Sequence, residues 1–318
     1  AIYICLKITR FRRKFWVLKS VLPGSFNFCA ALMFNQAEKC LRFTRIEELI
    51  GPLFDPASFF PDFDPNHFEE HRDWLFPDHV DAKTGRIIAS MHSWLIETTH
   101  HKILVDTCIG NNKQRMPYRD WHEMNTPWLQ NLAQAGVSPD EIDFVMCTHL
   151  HVDHVGWNTQ LKDGQWVPTF PNAKYIFSKV EHDFWLEQRH KNSSESFAAV
   201  NNQTFDDSVT PIMHLAELIE GDTELIADLL NIKPAPGHTP GSIIIEVQDK
   251  GELGIFTGDI CHHPIQVAEP ELNSAYCELP DAARKTRRNV LERCCGESAL
   301  MLPAHFGPGF AGHIRASG

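Results

Sequence analysis

The sequence predicts a mixed α/β fold. Short apolar runs of strand length alternate with stretches whose apolar residues recur about one helical turn apart. Gly, Pro, Asn and Asp stand between these runs, as is typical of turns that connect strands and helices. The chain has 318 residues, of which 43% are hydrophobic and 22% are charged, and this length can bury one large core or two modest ones.

The predicted elements follow one another without an internal repeat. The predicted strands are 86–98, 102–107, 142–147, 173–178, 242–247, 253–257 and 300–303. The predicted helices are 128–135, 180–190 and 280–295. Gly136 ends the first helix, and Pro280 opens the third at a position that favours proline. On the second helix, Val180, Phe184 and Trp185 lie roughly a turn apart, as on a face that packs against a core.

Three histidines and one aspartate occupy a single segment directly after the predicted strand 142–147. The segment reads Thr148-His149-Leu150-His151-Val152-Asp153-His154, and Gly156 marks a tight turn just beyond it. Imidazole nitrogen and carboxylate oxygen are the ligands that suit zinc and its first-row neighbours. Because the chain has 18 histidines, a polar turn with chance histidines is the alternative explanation for this segment alone.

Three further candidate ligands lie downstream, each at the end of a short apolar stretch. His238 stands in Pro-Gly-His-Thr-Pro-Gly, Asp259 in Thr-Gly-Asp, and His305 in Pro-Ala-His-Phe-Gly. Flanking Gly or Pro is typical of loops that hold a functional site at the strand ends of a rigid scaffold. Each residue alone could be an ordinary turn residue, but together with the first segment they predict a dinuclear metal site.

From about residue 45 to the C-terminus, the chain resembles the metallo-β-lactamase superfamily, whose HxHxDH…H…D…H pattern is matched at all seven positions. The resemblance implies an αββα sandwich with the metals at one edge of the paired sheets, formed by a single hydrolase domain at 41–318. It also implies that one metal is held by His149, His151 and His238, the other by Asp153, His154 and His305, and that Asp259 bridges them. We expect two divalent ions, with zinc ahead of manganese, cobalt or iron.

Independently of the resemblance, the chemistry of hydrolysis favours such an arrangement of two metals and a shared carboxylate. Two cations about 3.5–4 Å apart repel each other, so a shared carboxylate such as Asp259 offsets part of that repulsion. Bound zinc lowers the pKa of water from roughly 15.7 to about 7, which makes a bridging hydroxide the nucleophile without any serine or cysteine. One metal would polarise the carbonyl or phosphoryl oxygen of the substrate. Asp153 is predicted as a catalytic residue as well as a ligand.

Asp106 ends another apolar run and is a candidate support for the ligands. It resembles the family's early Asp-Thr-Gly element, with Cys108 where glycine is usual. Its carboxylate could accept a hydrogen bond from the outer ring nitrogen of a ligand histidine and so fix its tautomer. An aspartate that binds only its own loop backbone is the alternative.

Within the superfamily, the ligand spacing resembles the methyl parathion hydrolase and N-acyl homoserine lactonase branch. True zinc β-lactamases usually carry cysteine or serine at the position of Asp259, and oxygen-reducing diiron relatives usually carry glutamate at that of His151. Hydroxyacylglutathione hydrolases add a basic site near the C-terminus. In this chain the late basic cluster at 284–288 is the candidate for such a site. It lies on a predicted helix, and an ordinary solvated face is the alternative.

Three features concern the substrate pocket. The run 53–76 contains seven Phe and Trp residues, which fit either an apolar lid or ordinary core packing. Trp157, just past the first motif, is a second candidate for the pocket wall. Homoserine lactonases usually place tyrosine three residues after the bridging aspartate, and here that position is His262. We predict that His262 hydrogen-bonds a substrate oxygen; the alternative is that His263, or neither, enters the site.

These features predict a dinuclear metal-dependent hydrolase that uses a metal-bridging hydroxide to open a lactone or cleave an ester. A phosphotriesterase that hydrolyses organophosphates is the alternative on the same site. A metal-binding module without turnover is a further alternative. The expected partner is a small, largely neutral substrate, since an apolar pocket suits lactones, esters and phosphotriesters better than sugars or highly charged phosphates.

Composition bears on partners and compartment. The net charge of −12 argues against nucleic acid as a partner, and therefore against the RNA-processing nucleases of the superfamily. Nine cysteines without a CxxC pair favour a reducing compartment, so a cytoplasmic location is expected, with a secreted or periplasmic one left open. No stretch reaches the roughly 18 apolar residues of a membrane span. A homodimer is compatible with the sequence, which does not fix the oligomeric state.

The two ends carry expectations of their own. Residues 1–40 form an N-terminal extension whose basic and apolar composition fits a signal peptide or sequence that is not native to the fold, with Met33 as an alternative start. The C-terminus stops where related hydrolases usually continue into a closing strand, so a truncation at that end is expected.

Overall fold

The computed structural model describes residues 15–20, 26–27, 41–190 and 196–317. The chain divides into two compact units. The first comprises Ala1–Pro23, Ile50–Ser90 and Asp222–Gly318, and the second comprises Gly24–Leu49 and Met91–Gly221. Strands and helices occur in the described part of both units, so the predicted mixed α/β class is confirmed. Apart from 15–20 and 26–27, the predicted extension 1–40 lies outside the described residues.

Sixteen strands are present in the described ranges. In chain order they are β1 (Phe15–Ser20), β2 (Phe26–Asn27), β3 (Arg42–Phe54), β4 (Ile87–Glu97), β5 (Lys102–Val105), β6 (Phe144–Met146), β7 (Thr159–Lys162), β8 (Gln165–Pro168), β9 (Lys174–Ser178), β10 (Ala216–Ile219), β11 (Thr223–Ile226), β12 (Leu230–Pro234), β13 (Ile243–Asp249), β14 (Glu252–Gly258), β15 (Leu300–Pro303) and β16 (Gly312–Ser317). All seven predicted strands therefore occur near their predicted positions.

Eight α-helices accompany the strands in the same ranges. They are α1 (Pro56–Phe59), α2 (Pro65–Glu70), α3 (Arg72–Leu75), α4 (Trp128–Gln134), α5 (Lys179–His190), α6 (Ser196–Thr204), α7 (Ile265–Ala268) and α8 (Pro280–Gly296). A π-helical turn, Phe205–Val209, follows α6. The three predicted helices correspond to α4, α5 and α8. No helix in the described part of the chain has the length and apolar character needed to cross a membrane.

The sheet of the second unit brings two strand ends together. Its order is β10-β9-β6-β5-β4-β3-β2, to which β3 contributes its residues up to 49 and β4 those from 91. Strand β6 is parallel to both β5 and β9, so the carboxyl ends of these three strands lie at the same edge. The N–H of Asp106 donates to the carbonyl of Met146 at 2.9 Å. The segment that follows β6 therefore leaves the sheet beside Asp106.

The sheet of the first unit gathers three strand ends in the same way. Its order is β1-β16-β15-β14-β13-β12-β11. Strands β12 and β14 are both antiparallel to β13, and β15 is parallel to β14. The carboxyl ends of β12, β14 and β15 therefore share one edge, and the loops that leave them carry His238, Asp259 and His305.

Each unit has its own hydrophobic core. In the second unit, Val145 and Trp128 are fully buried, and the ring of Trp128 stacks on Trp157 at a centroid distance of 5.4 Å. Trp157 thus lies in the core of this unit, and packing accounts for it better than the predicted place in a pocket wall. In the first unit, Leu291 of α8 and Met301 of β15 belong to one buried cluster.

The aromatic segment 53–76 forms three short helices, α1 to α3. Phe60, Phe68 and Leu75 are buried in one cluster with Ile265 and Leu272. These three side chains therefore pack in the core of the first unit, as the ordinary packing interpretation expects.

Gly156 is the point where two backbone segments of the second unit come closest. A Cβ built on Gly156 would lie 1.8 Å from the carbonyl oxygen of Ile109 and 2.6 Å from the nitrogen of Gly110. Two hydrogen bonds hold this approach, from Gly156 N–H to the Cys108 carbonyl at 2.7 Å and from Trp157 N–H to the Thr107 carbonyl at 2.8 Å. Only glycine fits here, so the loop 106–110 and the turn after the histidine motif form one packed piece of backbone.

We expect Gly156→Ala to lower the free energy of unfolding by at least about 3 kcal/mol, because the new methyl group must displace backbone rather than a flexible side chain. Gly296→Ala is the matched control, since no atom lies within 4 Å of the place that its new methyl group would take at the end of α8. That variant should be neutral or more stable by roughly 0.4–1 kcal/mol. Urea unfolding followed by circular dichroism measures both changes, and equal stability of the two variants would contradict the packing argument.

Candidate metal centre

The first histidine motif forms a buried cluster within the second unit. His149, His151 and His154 each expose 2% of their surface or less. The Nε2 atom of His149 lies 3.1 Å from Nδ1 of His151, and the rings of His149 and His154 lie 3.9 Å apart. Asp153 is more open, with its carboxylate 3.7 Å from Nε2 of His154. All four predicted ligands of this segment therefore lie within one small region.

Asp106 supports this cluster as predicted. Its carboxylate accepts hydrogen bonds from the Thr148 backbone N–H at 2.7 Å and from the Thr148 hydroxyl at 2.8 Å. It also lies 2.9 Å from Nδ1 of His154. Because this bond occupies the outer nitrogen of the His154 ring, Nε2 is left as the nitrogen that can bind a metal.

The loop that carries Asp106 has an unusual backbone. Asp106 and Cys108 both have positive φ angles, 57° and 50°, in the left-handed region that favours glycine. This geometry explains why glycine is usual at the position of Cys108. The cysteine side chain is buried, and its sulfur lies 3.4 Å from the hydroxyl of Ser93.

Glu48 is a buried carboxylate that the sequence analysis missed. Its oxygens accept hydrogen bonds from the backbone N–H groups of Ile109 at 2.8 Å and Gly110 at 3.1 Å. The indole N–H of Trp157 donates to it at 2.7 Å and the hydroxyl of Thr126 at 3.3 Å. Glu48 therefore joins the loop 106–110 to the turn that follows the histidine motif.

A signal for Glu48 exists in the sequence, although it is weak. In β3 the residues Thr44, Ile46 and Glu48 are buried in alternation, so the glutamate occupies an inward position of a strand. Strand β3 was not predicted from the sequence. Without a predicted strand around it, Glu48 gives no reason to expect that its side chain is buried.

The three downstream ligands form a second cluster, within the first unit. Asp259 is at its centre: Oδ2 lies 3.3 Å from Nε2 of His238, and Oδ1 lies 3.0 Å from Nε2 of His305. All three side chains are buried. The Nδ1 atom of His305 lies 3.2 Å from the carbonyl oxygen of Ser90, which orients the ring with Nε2 towards the carboxylate.

His262 joins this second cluster, whereas His263 does not. The Nε2 atom of His262 lies 3.2 Å from Oδ2 of Asp259, and its ring forms a T-shaped pair with Phe59 at a centroid distance of 5.4 Å. His263 points to the carbonyl of His79, 2.9 Å from its Nε2 atom. Burial lowers the pKa of His263 to about 3, so this ring is neutral. Of the two histidines that the sequence left open, His262 is the one beside Asp259.

The donor atoms in both clusters suit a metal ion of the zinc type. Buried imidazole nitrogens converge on carboxylate oxygen, and outer ring nitrogens of His154 and His305 are occupied by Asp106 and the Ser90 carbonyl. In the first unit, the ligand atoms of His238 and Asp259 lie within 4.8 Å of each other, and a ring nitrogen of His262 lies within the same distance of both. Borderline nitrogen and oxygen donors in a preoriented, buried group are the set that zinc and its neighbours prefer.

Comparison with protein families gives one match. The model of the metallo-β-lactamase superfamily matches residues 91–305, a range that includes all seven predicted ligands. This match covers more than half of the chain.

Curated relatives match over shorter stretches. A ribonuclease of Thermus thermophilus is 28% identical over 132 residues, which are 41% of this chain and 29% of that protein. An N-acyl homoserine lactonase of Bacillus thuringiensis is 26% identical over 125 residues, 38% of this chain and 40% of that protein. A probable metallo-hydrolase of Methanocaldococcus jannaschii is 26% identical over 53% of this chain and 64% of its own length. The chain thus spans less than two thirds of these relatives.

Solved structures match over nearly the whole chain. The hydrolase AbOPH of the β-lactamase superfamily has a TM-score of 0.73 at 24% identity, with 94% of this chain and 95% of that chain covered. The dizinc quorum-quenching lactonase AidC has a TM-score of 0.66 at 19% identity, with 95% and 97% covered. At these identities the likeness shows the fold, and it confirms the predicted fold class.

The environment of Glu48 predicts a pH dependence of stability. Burial raises the pKa of Glu48 from 4.5 to about 7, although its hydrogen-bond donors act in the opposite direction. Because the folded protein binds this proton more tightly than the unfolded chain, the contribution to stability is fully present below pH 4.5 and is lost as the pH rises through about 7.

Relative to Glu48→Gln, the wild-type protein should therefore lose roughly 3 kcal/mol of unfolding free energy between pH 4.5 and 8. Urea unfolding at several pH values measures the difference between the two proteins. Glu47→Gln, at the neighbouring outward position of β3, is the control and should show no such slope. A constant difference between wild type and Glu48→Gln across this range would contradict the assignment.

Proposed function

The chain belongs to the metallo-β-lactamase superfamily, and we propose that it is a dinuclear metal-dependent hydrolase that opens a lactone or cleaves an ester. The observation that carries the proposal is the pair of buried clusters at strand ends, which together contain a histidine or aspartate at every one of the seven family positions. Orienting partners for His154 and His305 add support, because a chance group of histidines would not need its outer nitrogens fixed.

In this proposal the two clusters supply one dinuclear centre. One metal is held by His149, His151 and His238, the other by Asp153, His154 and His305, and Asp259 bridges them. Zinc is the first expectation for both metals, since every ligand is an imidazole or a carboxylate.

Bound metal ions would supply an activated water as nucleophile and would polarise the oxygen of the scissile group. Side chains of the protein would provide the orientation of the ligands, the compensating charge and the contact with the substrate. Asp106 holds the His154 ring, Asp259 would supply negative charge between the two cations, and His262, whose Nε2 lies beside Asp259, would hydrogen-bond a substrate oxygen. No side-chain nucleophile is required, and Cys108, Cys147 and Cys261 are buried thiols whose pKa values burial raises.

Two observations favour a lactone or ester. N-acyl homoserine lactonases of Bacillus thuringiensis and Agrobacterium fabrum are among the curated relatives, and the solved neighbour AidC is a dizinc lactonase. The ring of Phe59 beside His262 also gives the second cluster an apolar neighbour, which suits an uncharged substrate. A phosphotriester is the alternative substrate for the same chemistry. The net charge of −12 disfavours RNA, the substrate of the ribonuclease relative.

Metal-loaded protein should contain close to two zinc ions per chain and should hydrolyse at least one substrate in a panel of lactones, carboxylic esters and paraoxon. Removal of the metals by a chelator should abolish turnover, and added zinc should restore it. Asp259→Ala should lose at least one metal, whereas the exposed Asp281→Ala should keep both.

Elemental analysis and the substrate panel separate the alternatives. Two metals with turnover of paraoxon alone would identify a phosphotriesterase. Two metals without any turnover would favour a binding module, and one metal or none in active protein would contradict the dinuclear centre.

His262→Ala should keep both metals and lower turnover roughly 10²–10³-fold, the usual effect of removing one hydrogen-bond donor to a developing oxyanion. His262→Tyr should recover part of the activity on acyl lactones, because phenol and imidazole both donate hydrogen bonds. His263→Ala is the matched control: it removes a neighbouring buried ring that points to His79 and should leave turnover per folded molecule unchanged. Wild-type rates for His262→Ala on every accepted substrate would show that the assigned role is wrong.

A further inference from the structure

The outer nitrogen of His238 faces a thiol. Within the first unit, Nε2 of His238 lies 3.3 Å from Oδ2 of Asp259, whereas Nδ1 lies 3.7 Å from Sγ of Cys277. The ring is therefore enclosed between the carboxylate of the ligand cluster on one side and the sulfur on the other. At His154 and His305, by contrast, an oxygen occupies the corresponding place: the carboxylate of Asp106 and the carbonyl of Ser90.

Backbone hydrogen bonds hold the contact in place. The N–H of Glu278 donates to the carbonyl of His238 at 2.8 Å, and the N–H of Leu279 donates to the carbonyl of Gly237 at 3.0 Å. A Cβ at Gly237 would lie 2.4 Å from Cα of Ala283, so this loop is also pressed against the start of α8. The position of Cys277 relative to the ring is thus set by two backbone segments and not by a flexible side chain.

The thiol also belongs to a short polar chain. The hydroxyl of Ser274 lies 3.6 Å from Sγ of Cys277 and 3.4 Å from Nε2 of His262. Ser274 is buried and Cys277 is partly buried. Polar contacts therefore connect His238 to His262 through Cys277 and Ser274. Both histidines also face Asp259.

We propose that Cys277 is a positioning residue, which orients the ring of His238 so that Nε2 faces the metal. The inference rests on the proposed metal centre. A histidine that binds a metal through one nitrogen needs a hydrogen-bond partner at the other to fix its ring and tautomer. A hydroxyl shares the donor and acceptor capacity of a thiol, whereas an alkyl side chain has neither.

Zinc affinity tests this role. Cys277→Ala should weaken the binding of one of the two zinc ions about 10-fold or more, the usual effect of losing an outer partner of a ligand. Cys277→Ser should stay within about threefold of wild type, because the hydroxyl keeps a donor and an acceptor. Cys295→Ala, which removes a partly buried thiol from α8, is the control and should leave both affinities unchanged. Competition with a chromophoric chelator measures each dissociation constant.

A second variant and a second measurement guard against a purely structural effect. Cys277→Val keeps a side chain of similar size but cannot form the hydrogen bond. If Cys277→Ala does not fold, Cys277→Val should show the weakened zinc binding in its place. In cobalt-substituted protein, the visible absorption of one site should change in Cys277→Ala or Cys277→Val and stay constant in Cys277→Ser and Cys295→Ala.

The outcomes distinguish the two proposals. Wild-type protein that binds no zinc would overturn the metal centre and, with it, the role of Cys277. Wild-type protein with two zinc ions, together with unchanged affinity and unchanged cobalt absorption in Cys277→Ala and Cys277→Val, would overturn the role of Cys277 alone.

Discussion

The close approach of the loop 106–110 to the turn after His154 is the constraint on which the second unit depends. Strands β5 and β6 are parallel, so their ends emerge side by side, and Gly156 then lets the two backbones touch. Two buried carboxylates secure this arrangement. Asp106 binds Thr148 and His154, and Glu48 binds the loop and Trp157. The histidine cluster is thereby fixed by backbone packing and buried hydrogen bonds.

The first unit fixes its ligand cluster in a different way. Its cluster is organised around one carboxylate, Asp259, which three imidazole Nε2 atoms approach within 3.3 Å. The strand directions of β12, β14 and β15 bring their three loops to one edge, and the outer atoms are then held by backbone and by a thiol. The candidate ligands of this unit thus lie on loops, while rigid strands set their separation.

The sequence predicted the positions that carry chemistry better than those that support it. Histidines and aspartates that follow apolar runs predicted the positions in both clusters, because metal binding would restrict residue type as well as place. Glu48 gave no such signal, since its role depends on contacts across about 60 residues of sequence. The hairpin β7–β8 was also missed, although Asp163 and Gly164 form its turn with φ angles of 50° and 77°. The choice between His262 and His263 depends on loop geometry, which residue types do not encode.

Cys108 shows how a departure from glycine can persist at a left-handed position. A side chain at φ 50° destabilises the folded state by roughly 1–2 kcal/mol. The same side chain restricts the unfolded chain, which returns about 0.4–1 kcal/mol of entropy relative to glycine. Burial of the cysteine against Ser93 adds a further gain. Unfolded-state entropy and burial of the side chain together therefore offset part of the folded-state strain, which explains how a cysteine is tolerated at this left-handed position.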